Sequence, residues 1–181
     1  PRHIIKMMVE LTQPKPLENI ADPACGTAGF LVAAGEYIRE NHAKAMVDDK
    51  TRAHFQSEMF TGYDFDNSML RIGNMNMVMH GFDGATIDYK DSLSSSDDDD
   101  LAEQFDLILA NPPFTGTLDY DSVAADLLQT VKTKKTELLF NALFLRALKT
   151  GGRAAVVVPD GVIFRSGKDY KEIRRILIED Q

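Results

Sequence analysis

The apolar and polar positions of the chain follow two periodicities in turn. Apolar residues recur at the spacing of a helix over 2–11, 28–41, 68–80, 137–149 and 167–179. A polar stretch at 42–57 is predicted to hold a further helix and a loop. Short apolar runs predict five strands, one ending near Asp22 and the others at 59–66, 85–93, 105–110 and 153–161. Strands that alternate with helices indicate an α/β fold with a mostly parallel sheet.

Two of the predicted strands are apolar without interruption, at 107–110 (LILA) and 155–158 (AVVV). Such strands are typical of parallel sheets that carry helices on both faces, which is the arrangement we expect. Ligands of these sheets bind beyond the carboxyl ends of the strands. The candidate functional segments are therefore 22–29, 64–67, 91–104, 111–136 and 159–168.

Composition and charge narrow the classes of protein. The 181 residues suffice for one domain with a sizeable core. No apolar run approaches the roughly 20 residues of a membrane helix, and no signal peptide is recognisable, so we expect a cytoplasmic protein without a membrane partner. The single cysteine, Cys25, excludes an internal disulfide. A net charge of −8 argues against a protein that holds nucleic acid through its own phosphate contacts.

The segment DPACGTAGF, residues 22–30, joins the first strand to a helix. Gly26 permits a tight turn, and Gly29 permits a ligand to approach the backbone closely. The helix N-terminus behind them offers free amides. The spacing differs from the G-x-G-x-x-G pattern of nicotinamide sites. A ligand site and an ordinary strand–turn–helix corner remain alternatives from these residues alone.

Acidic residues end the second and third predicted strands. Asp64 is placed where doubly wound nucleoside sites accept the ribose hydroxyls, and Phe65 is placed to cover an adenine ring. For Asp66 we prefer a helix cap, a role also open to Asp64 and, for the helix at 68–80, to Asn67. Asp91 is placed either to accept a hydrogen bond from an adenine amino group or to be a solvated turn residue.

The stretch FDLILANPPFTG, residues 105–116, ends a buried strand in Asn-Pro-Pro-Phe. Pro112 keeps Asn111 out of helical torsions, and Pro113 removes another backbone donor. The result is a rigid edge of acceptor oxygens, with Phe114 as a flat surface beside it. This edge suits a planar substrate that carries an amino group, whose nitrogen gains positive charge when it attacks an electrophile. A plain turn is the weaker alternative.

Other reactive residues are better explained without chemistry. Cys25 has no histidine at a telling spacing and is interpreted as a small buried residue. The four histidines have no metal-ligand spacing, so we predict no metal. The methionines of helix 68–80 are interpreted as core residues. Lys132, Lys134 and Lys135 form a basic patch that suits either phosphate contact or a solvated helix start, and the acidic run at 94–100 is expected to face solvent or a protein partner.

The chain resembles the N6-adenine DNA methyltransferases, and most closely the modification (M) subunit of type I restriction–modification systems. DPACGTAGF is similar to the first S-adenosylmethionine motif of that family, and ANPPF to its catalytic motif. Three further segments are also similar to sequences of that family: GYDFDNSMLRIGNMNMVMHG, KDSL and LKTGGRAAVVVPDGVIF. The resemblance covers nearly the whole chain.

The resemblance implies a Rossmann-like S-adenosylmethionine-dependent methyltransferase fold. The implied cofactor-binding residues are Pro1, Arg2, Asp22, Gly26, Thr27, Ala28, Gly29, Asp64, Phe65 and Asp91. The implied catalytic residues are Asn111, Pro112, Pro113 and Phe114. Asn111 and Pro112 would bind the target amino group, and Phe114 would stack on a base extruded from the duplex.

The chain departs from the family at its ends. Only Pro1 and Arg2 remain of a Thr-Pro-Arg cofactor motif, and five of the family's seven strands can be placed. The chain also begins without methionine. We therefore expect residues 1–181 to be a partial catalytic domain, without the final strands and the N-terminal helical domain of the family.

The implied reaction is direct transfer of a methyl group to N6 of adenine in double-stranded DNA, without a covalent intermediate. Methylation at carbon 5 of cytosine is excluded, because it needs a thiolate near the catalytic loop and Cys25 lies in the wrong motif. The family relies on a specificity (S) subunit to read DNA and, in restriction, on an endonuclease (R) subunit. The acidic chain fits such partners.

Three other functions remain open. A glutamine methyltransferase that acts on release factors presents the same acceptors but usually has Tyr where this chain has Phe114. An N4-cytosine methyltransferase more often has Ser or Asp in place of Asn111. The third alternative is a catalytically silent assembly subunit, against which the intact Asn111, Asp64 and Gly26 argue.

Overall fold

A computed structural model, which describes residues 1–94 and 101–179, shows a parallel sheet with helices on both faces. Its five strands lie in the order β3-β2-β1-β4-β5, and every neighbouring pair is parallel. The strands are β1 (Ile20–Asp22), β2 (Phe60–Asp64), β3 (Thr86–Tyr89), β4 (Phe105–Ala110) and β5 (Leu148–Val156). The predicted α/β class is confirmed. The acidic run 95–100 lies outside the described residues.

Eight α-helices connect or flank the strands in the described ranges. They are α1 (Arg2–Thr12), α2 (Gly29–Asn41), α3 (Asp49–Ser57), α4 (Asn67–Met79), α5 (Ala125–Thr130), α6 (Thr136–Ala147), α7 (Asp160–Phe164) and α8 (Lys168–Glu179). None of these helices has the length and apolar character needed to cross a membrane.

The strand β4, which lies between β1 and β5, contributes to two apolar layers on opposite faces of the sheet. Leu107 and Leu109 point to one face, where they pack with residues of α1, α2, α3 and α4. Ile108 and Ala110 point to the other face and pack with α5, α6 and α8. Because side chains alternate along a strand, an uninterrupted apolar strand serves both layers, and the prediction for LILA is confirmed.

The same prediction holds for AVVV in and after β5, since Ala155 and Val157 pack against one layer and Val156 and Val158 against the other, although less deeply. The residues of β5 are only half-buried or exposed, because β5 is an edge strand of the described sheet. The strand begins earlier than predicted, since the chain passes from α6 directly into β5 at Leu148. Gly151 and Gly152 therefore lie within the strand rather than after the helix, and Gly151 has a positive φ of 80°.

The helix at 67–79 corrects two predictions. Its N-cap is Asp66, whose carboxylate accepts the amide of Ser68 at 2.7 Å, so Asn67 is the first helical residue and not the cap. Met77 is buried, but Met75 and Met79 are 65% and 77% exposed, so interpreting all its methionines as core residues is wrong. Periodicity shows which residues share a face and not whether another element covers it.

Two helices are absent from the sequence prediction. α5 lies inside the segment 111–136, which is therefore not a structureless loop. α7 begins at Asp160, before the predicted end of the last strand at 161, because β5 ends at Val156. Both helices are short, with 6 and 5 residues, which leaves too few positions for a clear period.

The end of the sheet at which the strands begin is held by charged groups. Arg153 of β5 donates to both carboxylate oxygens of Glu18, at 2.8 and 2.9 Å. It also donates to the carbonyls of Thr12 (2.7 Å) and Gln13 (3.0 Å) at the end of α1. This one side chain therefore joins the end of α1 to the edge strand β5.

Candidate active site

The carboxyl ends of all five strands meet at one edge of the sheet, which brings the predicted functional segments together. Asp22 is paired with Gly62, next to the strand end at Asp64. On the other side of β1, the last residue of β4, Ala110, is paired with Val156 of β5. The glycine turn, the acidic strand ends and Asn-Pro-Pro-Phe thus share one edge, as predicted.

The glycine turn is held by its neighbours in a conformation that few residues adopt. Gly26 and Ala28 have φ of 51° and 58°, and a positive φ is uncommon for alanine. The Gly26 amide donates to Asp64 Oδ2 (2.9 Å), and the Cys25 amide donates to the Tyr63 carbonyl (2.9 Å). The turn therefore depends on β2, which lies beside it in the sheet.

A third contact to the turn comes from α4. Asn76 Nδ2 donates to the Thr27 carbonyl at 2.8 Å. One helical turn earlier, a Cβ on Gly73 would stand 3.0 Å from the Gly26 carbonyl, so only glycine lets α4 approach this closely. Sequence reasoning assigned no role to Asn76 or Gly73, although both lie in the stretch that resembles family text.

Asp22 is the most perturbed acid of the site. It is 1% exposed, and its carboxylate accepts the Ala24 amide at 3.1 Å. Burial raises the pKa of Asp22 to about 7, the Ala24 amide opposes this, and the charge of Asp64 adds to it. Among the described residues, no lysine, arginine or histidine forms an ion pair with Asp22. The site therefore favours a ligand that brings a positive charge.

Asp64 and Asp91 are already engaged with the backbone. Asp64 accepts the amides of Gly26 and Asp66, both at 2.9 Å, and each oxygen retains a further lone pair for a ligand. Asp91 accepts the amide of Leu93 at 3.1 Å. It lies two residues beyond β3, which ends at Tyr89, so the prediction that Asp91 ends a strand is wrong. Phe65 is 68% exposed beside Asp64.

The first residues of the chain lie near the glycine turn. Arg2, Thr27 and Gly29 line one cleft of about 940 Å³ that runs between α1, α2 and α4. Pro1, also exposed, immediately precedes Arg2. Asp22, Asp64 and Asn111 do not line this cleft, and they lie instead at the carboxyl edge of the sheet.

Asn-Pro-Pro-Phe emerges from the buried end of β4. Val157 donates to the Ala110 carbonyl at 3.0 Å, which extends the β4–β5 pairing to the residue before Asn111. Pro112 is buried, while Asn111 and Pro113 are exposed and Phe114 is 41% exposed. The rigid edge that the sequence predicts is therefore accessible to a substrate.

The segment after Phe114 is held at both ends. Thr117 and Lys135 form an isolated antiparallel bridge, and so do Ser94 and Val123. The Thr136 amide donates to the Gly116 carbonyl at 3.2 Å, and a Cβ on Gly116 would stand 2.7 Å from Thr136 Oγ1. Long-range pairing thus orders a segment that local sequence leaves undefined.

The predicted basic patch is largely neutralised. Lys134 pairs with Asp119 at 3.2 Å, and Lys135 pairs with Asp169 at 2.8 Å, a hydrogen bond that raises the pKa of Lys135. Lys132 is exposed. These contacts favour a structural role for the patch over phosphate binding.

Cys25 is confirmed as a buried residue. Burial, followed by the charges of Asp22 and Asp64, raises the pKa of its thiol far above the usual range. Its sulfur lies close to Gly62, where an added Cβ would stand 2.9 Å from Sγ. A thiol in this environment does not act as a nucleophile.

Comparison with known proteins decides the family. The model of the family described as N-6 DNA methylase matches residues 1–181. The methylase subunit of the type I restriction enzyme EcoEI from Escherichia coli is 34% identical over 180 residues, which cover 99% of this chain and 36% of that protein. The chain belongs to the N-6 DNA methylase family. This confirms the resemblance carried by the glycine turn and the Asn-Pro-Pro-Phe segment.

Solved structures agree with the fold of this N-6 DNA methylase. The crystal structure of the type I restriction enzyme EcoKI M protein superposes with a TM-score of 0.84 at 31% identity, over 98% of this chain and 37% of that one. A modification subunit of a putative type I restriction enzyme from Vibrio vulnificus gives 0.82 at 30% identity, over 98% and 37%. The predicted methyltransferase fold is confirmed. The chain spans about a third of the length of the curated relatives it matches.

Proposed function

We propose that this chain carries the catalytic centre of a site-specific DNA methyltransferase that transfers a methyl group from S-adenosylmethionine to N6 of adenine. The observation that carries the proposal is one edge of the sheet. There the exposed acceptor Asn111 follows β4, and the buried, unpaired carboxylate of Asp22 ends the neighbouring strand β1. An acceptor for an amino group thus stands next to a site for a cationic ligand.

S-adenosylmethionine fits the residues around the glycine turn. It carries a sulfonium and an ammonium group, and Asp22 favours a positive charge because no cation of the described chain pairs with it. The space above Gly26 is open, since a Cβ there would meet no atom within 4 Å. Thr27 is exposed at the start of α2, while Asp64 and Phe65 offer a carboxylate and an aromatic face on the next strand.

When bound, S-adenosylmethionine supplies an activated methyl group. The chain's own part is to orient the acceptor nitrogen. The side-chain oxygen of Asn111 and a carbonyl of the Pro112 edge would accept the two N–H bonds of an adenine amino group, which would leave the nitrogen lone pair free to take up the methyl group. As positive charge grows on that nitrogen, these fixed dipoles stabilise it. Phe114 stacks on the extruded base, an interaction of about 1–3 kcal/mol.

We further propose that the chain acts on DNA within a complex. Its net charge is −8, and two of the three lysines near the catalytic segment are paired with carboxylates. Both features disfavour tight DNA binding by the chain alone. Its relatives are named as subunits of type I restriction enzymes, which supports a specificity subunit as the partner that reads DNA, an endonuclease subunit as a further partner, and a cytoplasmic location.

The test is to identify the methylated product. The full-length protein, assembled with its specificity subunit, is incubated with DNA and labelled S-adenosylmethionine, and the DNA is digested to nucleosides. We expect N6-methyladenine with the wild type and a far smaller amount with Asn111→Ala. The control is Asn41→Ala. Asn41 is an exposed amide at the C-terminal end of α2, so this variant should retain activity.

The alternatives give different products. Label in N4-methylcytosine, or in the side-chain amide of a release-factor glutamine, would overturn the adenine proposal while leaving the acceptor edge in place. Binding of S-adenosylmethionine without transfer to any substrate would favour the silent assembly subunit.

A further inference from the structure

Two apolar side chains at the functional edge have no role in the reaction described above. Ile163 and Phe164 of α7 are 54% and 78% exposed. They lie in the segment 159–168, one of the segments that follow a strand and to which the proposed reaction assigns no residue. Single apolar residues at a surface are ordinary, so the question is whether the fold positions this pair.

The backbone on either side of the pair is held by one arginine. Arg174 of α8 donates from Nη1 to the Val162 carbonyl at 2.7 Å and from Nη2 to the Arg165 carbonyl at 2.8 Å. Val162 itself is 4% exposed and belongs to the core. The buried Val162 and the charged side chain of Arg174 thus hold in place a turn whose two apolar side chains face outwards.

This turn leaves the sheet beside the catalytic segment. Ala110 and Val156 are partners in the β4–β5 register, and the Val157 amide donates to the Ala110 carbonyl at 3.0 Å. Neighbouring strands lie about 4.8 Å apart. The backbones that lead to Phe114 and to Phe164 therefore start from adjacent points.

The two segments also share an anchor. The Thr136 amide donates to the Gly116 carbonyl (3.2 Å), two residues after Phe114. The next residue, Glu137, accepts a hydrogen bond from Tyr170 Oη at 2.8 Å, and that hydroxyl accepts one from Arg165 Nη1 at 3.0 Å. Glu137 and Tyr170 are both buried. Consecutive residues at the start of α6 therefore hold both aromatic-bearing segments in one arrangement.

We propose that Phe164, with Ile163 beside it, is a second nucleobase-contacting surface, which stacks on a base of the DNA at the point where the target adenine leaves the duplex. The inference rests on the proposed function. Extrusion of a base leaves its neighbours unstacked, and apolar side chains placed there offset that loss. In a chain of net charge −8, stacking supplies contact with DNA that phosphate binding does not.

The experiment uses the full-length protein in its complex and a duplex with 2-aminopurine in place of the target adenine, whose fluorescence rises on extrusion. Phe164→Ala should weaken DNA binding and the fluorescence rise by about 5- to 100-fold, the range expected for one stacked base. Phe164→Trp should restore both. Affinity for S-adenosylmethionine and the melting temperature should stay at wild-type values, because Phe164 is exposed and lies apart from the glycine turn.

Two controls make the result specific. Val47→Ala removes a side chain that is 79% exposed and remote from the carboxyl ends of the strands. DNA binding and extrusion of the base should therefore stay at wild-type values. Phe65→Ala should weaken binding of S-adenosylmethionine rather than extrusion of the base.

The inference is overturned if Phe164→Ala binds and extrudes DNA as the wild type does, or if the variant instead fails to assemble with its partner subunit. In either case the wild type still methylates adenine, so the proposed function stands. If the wild-type complex methylates no DNA, the proposed function fails and this inference fails with it.

Discussion

At the two ends of the sheet, the pKa values of acids removed from solvent are shifted in opposite directions. At the end where the strands begin, Asp106 of β4 accepts the Asn19 amide and pairs with Lys149, both at 2.8 Å. Burial alone would raise its pKa, but these partners lower the pKa below its usual value. At the other end, burial raises the pKa of Asp22 to about 7, and no described cation offsets it.

This difference distinguishes the end of the sheet that stabilises the fold from the end that forms the candidate site. Arg153, Lys149 and their acids are satisfied within the chain, so this end contributes to stability whether or not a ligand is bound. Asp22 and the left-handed backbone conformation of Ala28 cost free energy in the free protein. A cationic ligand offsets that cost when it binds. At this edge, a substitution that removes the cost should therefore raise the stability of the free protein and weaken ligand binding.

The largest effect is expected at the acceptor edge. Asn111→Ala removes the side-chain oxygen that we propose accepts the amino group, and methyl transfer should fall by roughly 10²- to 10³-fold or more. S-adenosylmethionine affinity, measured by calorimetry, should stay within about twofold of wild type, since Asn111 is exposed and does not hold the glycine turn. A matching loss of cofactor binding would show that the two sites are not separable in this way.

The next effect concerns Asp22 and has opposite signs for stability and binding. A carboxyl whose pKa is raised by folding binds more protons in the native state, so it makes the free protein less stable as pH rises from about 4 to about 7 and not further above. At about 1.4 kcal/mol for each pKa unit, the rise from 3.8 to about 7 corresponds to at most ~4 kcal/mol.

Asp22→Asn should therefore stabilise the free protein at pH 8 and approach wild-type stability near pH 4, as measured by urea unfolding. Its affinity for S-adenosylmethionine should fall at least tenfold, because the neutral amide offers no charge to the ammonium group. A variant that is less stable than wild type at pH 8 would contradict the interpretation of Asp22 as an unpaired buried acid.

Arg153→Leu should give the converse result at the other end. It removes hydrogen bonds to Glu18, Thr12 and Gln13 and leaves a half-buried carboxylate without its partner, so the free energy of unfolding should fall by about 2–4 kcal/mol. Binding of S-adenosylmethionine below the melting temperature should be unchanged. Arg52→Leu, a more exposed arginine paired with Asp49, is the matched control and should cost under about 1 kcal/mol.

The smallest effect is expected for Lys149→Met. The pair with Asp106 is partly exposed, and the Asn19 amide remains as a partner, so the loss at pH 7 should be about 0.5–1 kcal/mol. Because folding lowers the pKa of Asp106, the stability it supplies is present above about pH 4 and is lost as pH falls further. The difference from wild type should therefore shrink near pH 3, and a constant difference would point to packing instead of charge.

Much of the fold follows from the sequence because its periodicities are strong. β4 has the predicted bounds, and α8 begins within one residue of its prediction, because a strand with five apolar residues out of six and a regular amphipathic helix are unambiguous locally. α5 and α7 were missed because each is one to two turns long and is defined by contacts with distant residues. The observed β5 starts before the predicted strand. Its glycines are of a residue type that usually ends an element, but they are tolerated in an edge strand.

The parts of the candidate site that depend on local backbone chemistry can be predicted from the amino-acid sequence. A glycine turn after β1, acids after β2 and a rigid Asn-Pro-Pro-Phe after β4 can be recognised because each is set by neighbours along the chain. Parallel pairing then requires these segments to meet at one edge.

The charge of that edge and the contacts that support it depend on residues distant in the chain. The raised pKa of Asp22 follows from complete burial, the bond from Asn76 to Thr27 spans 49 residues, and that from Tyr170 to Glu137 spans 33. The exposure of Met75, Met79 and Phe164 likewise depends on what packs over them. The physical reason is common to all of these: residue spacing reports which side chains share a face, whereas solvation and long-range hydrogen bonds depend on which other elements lie against that face.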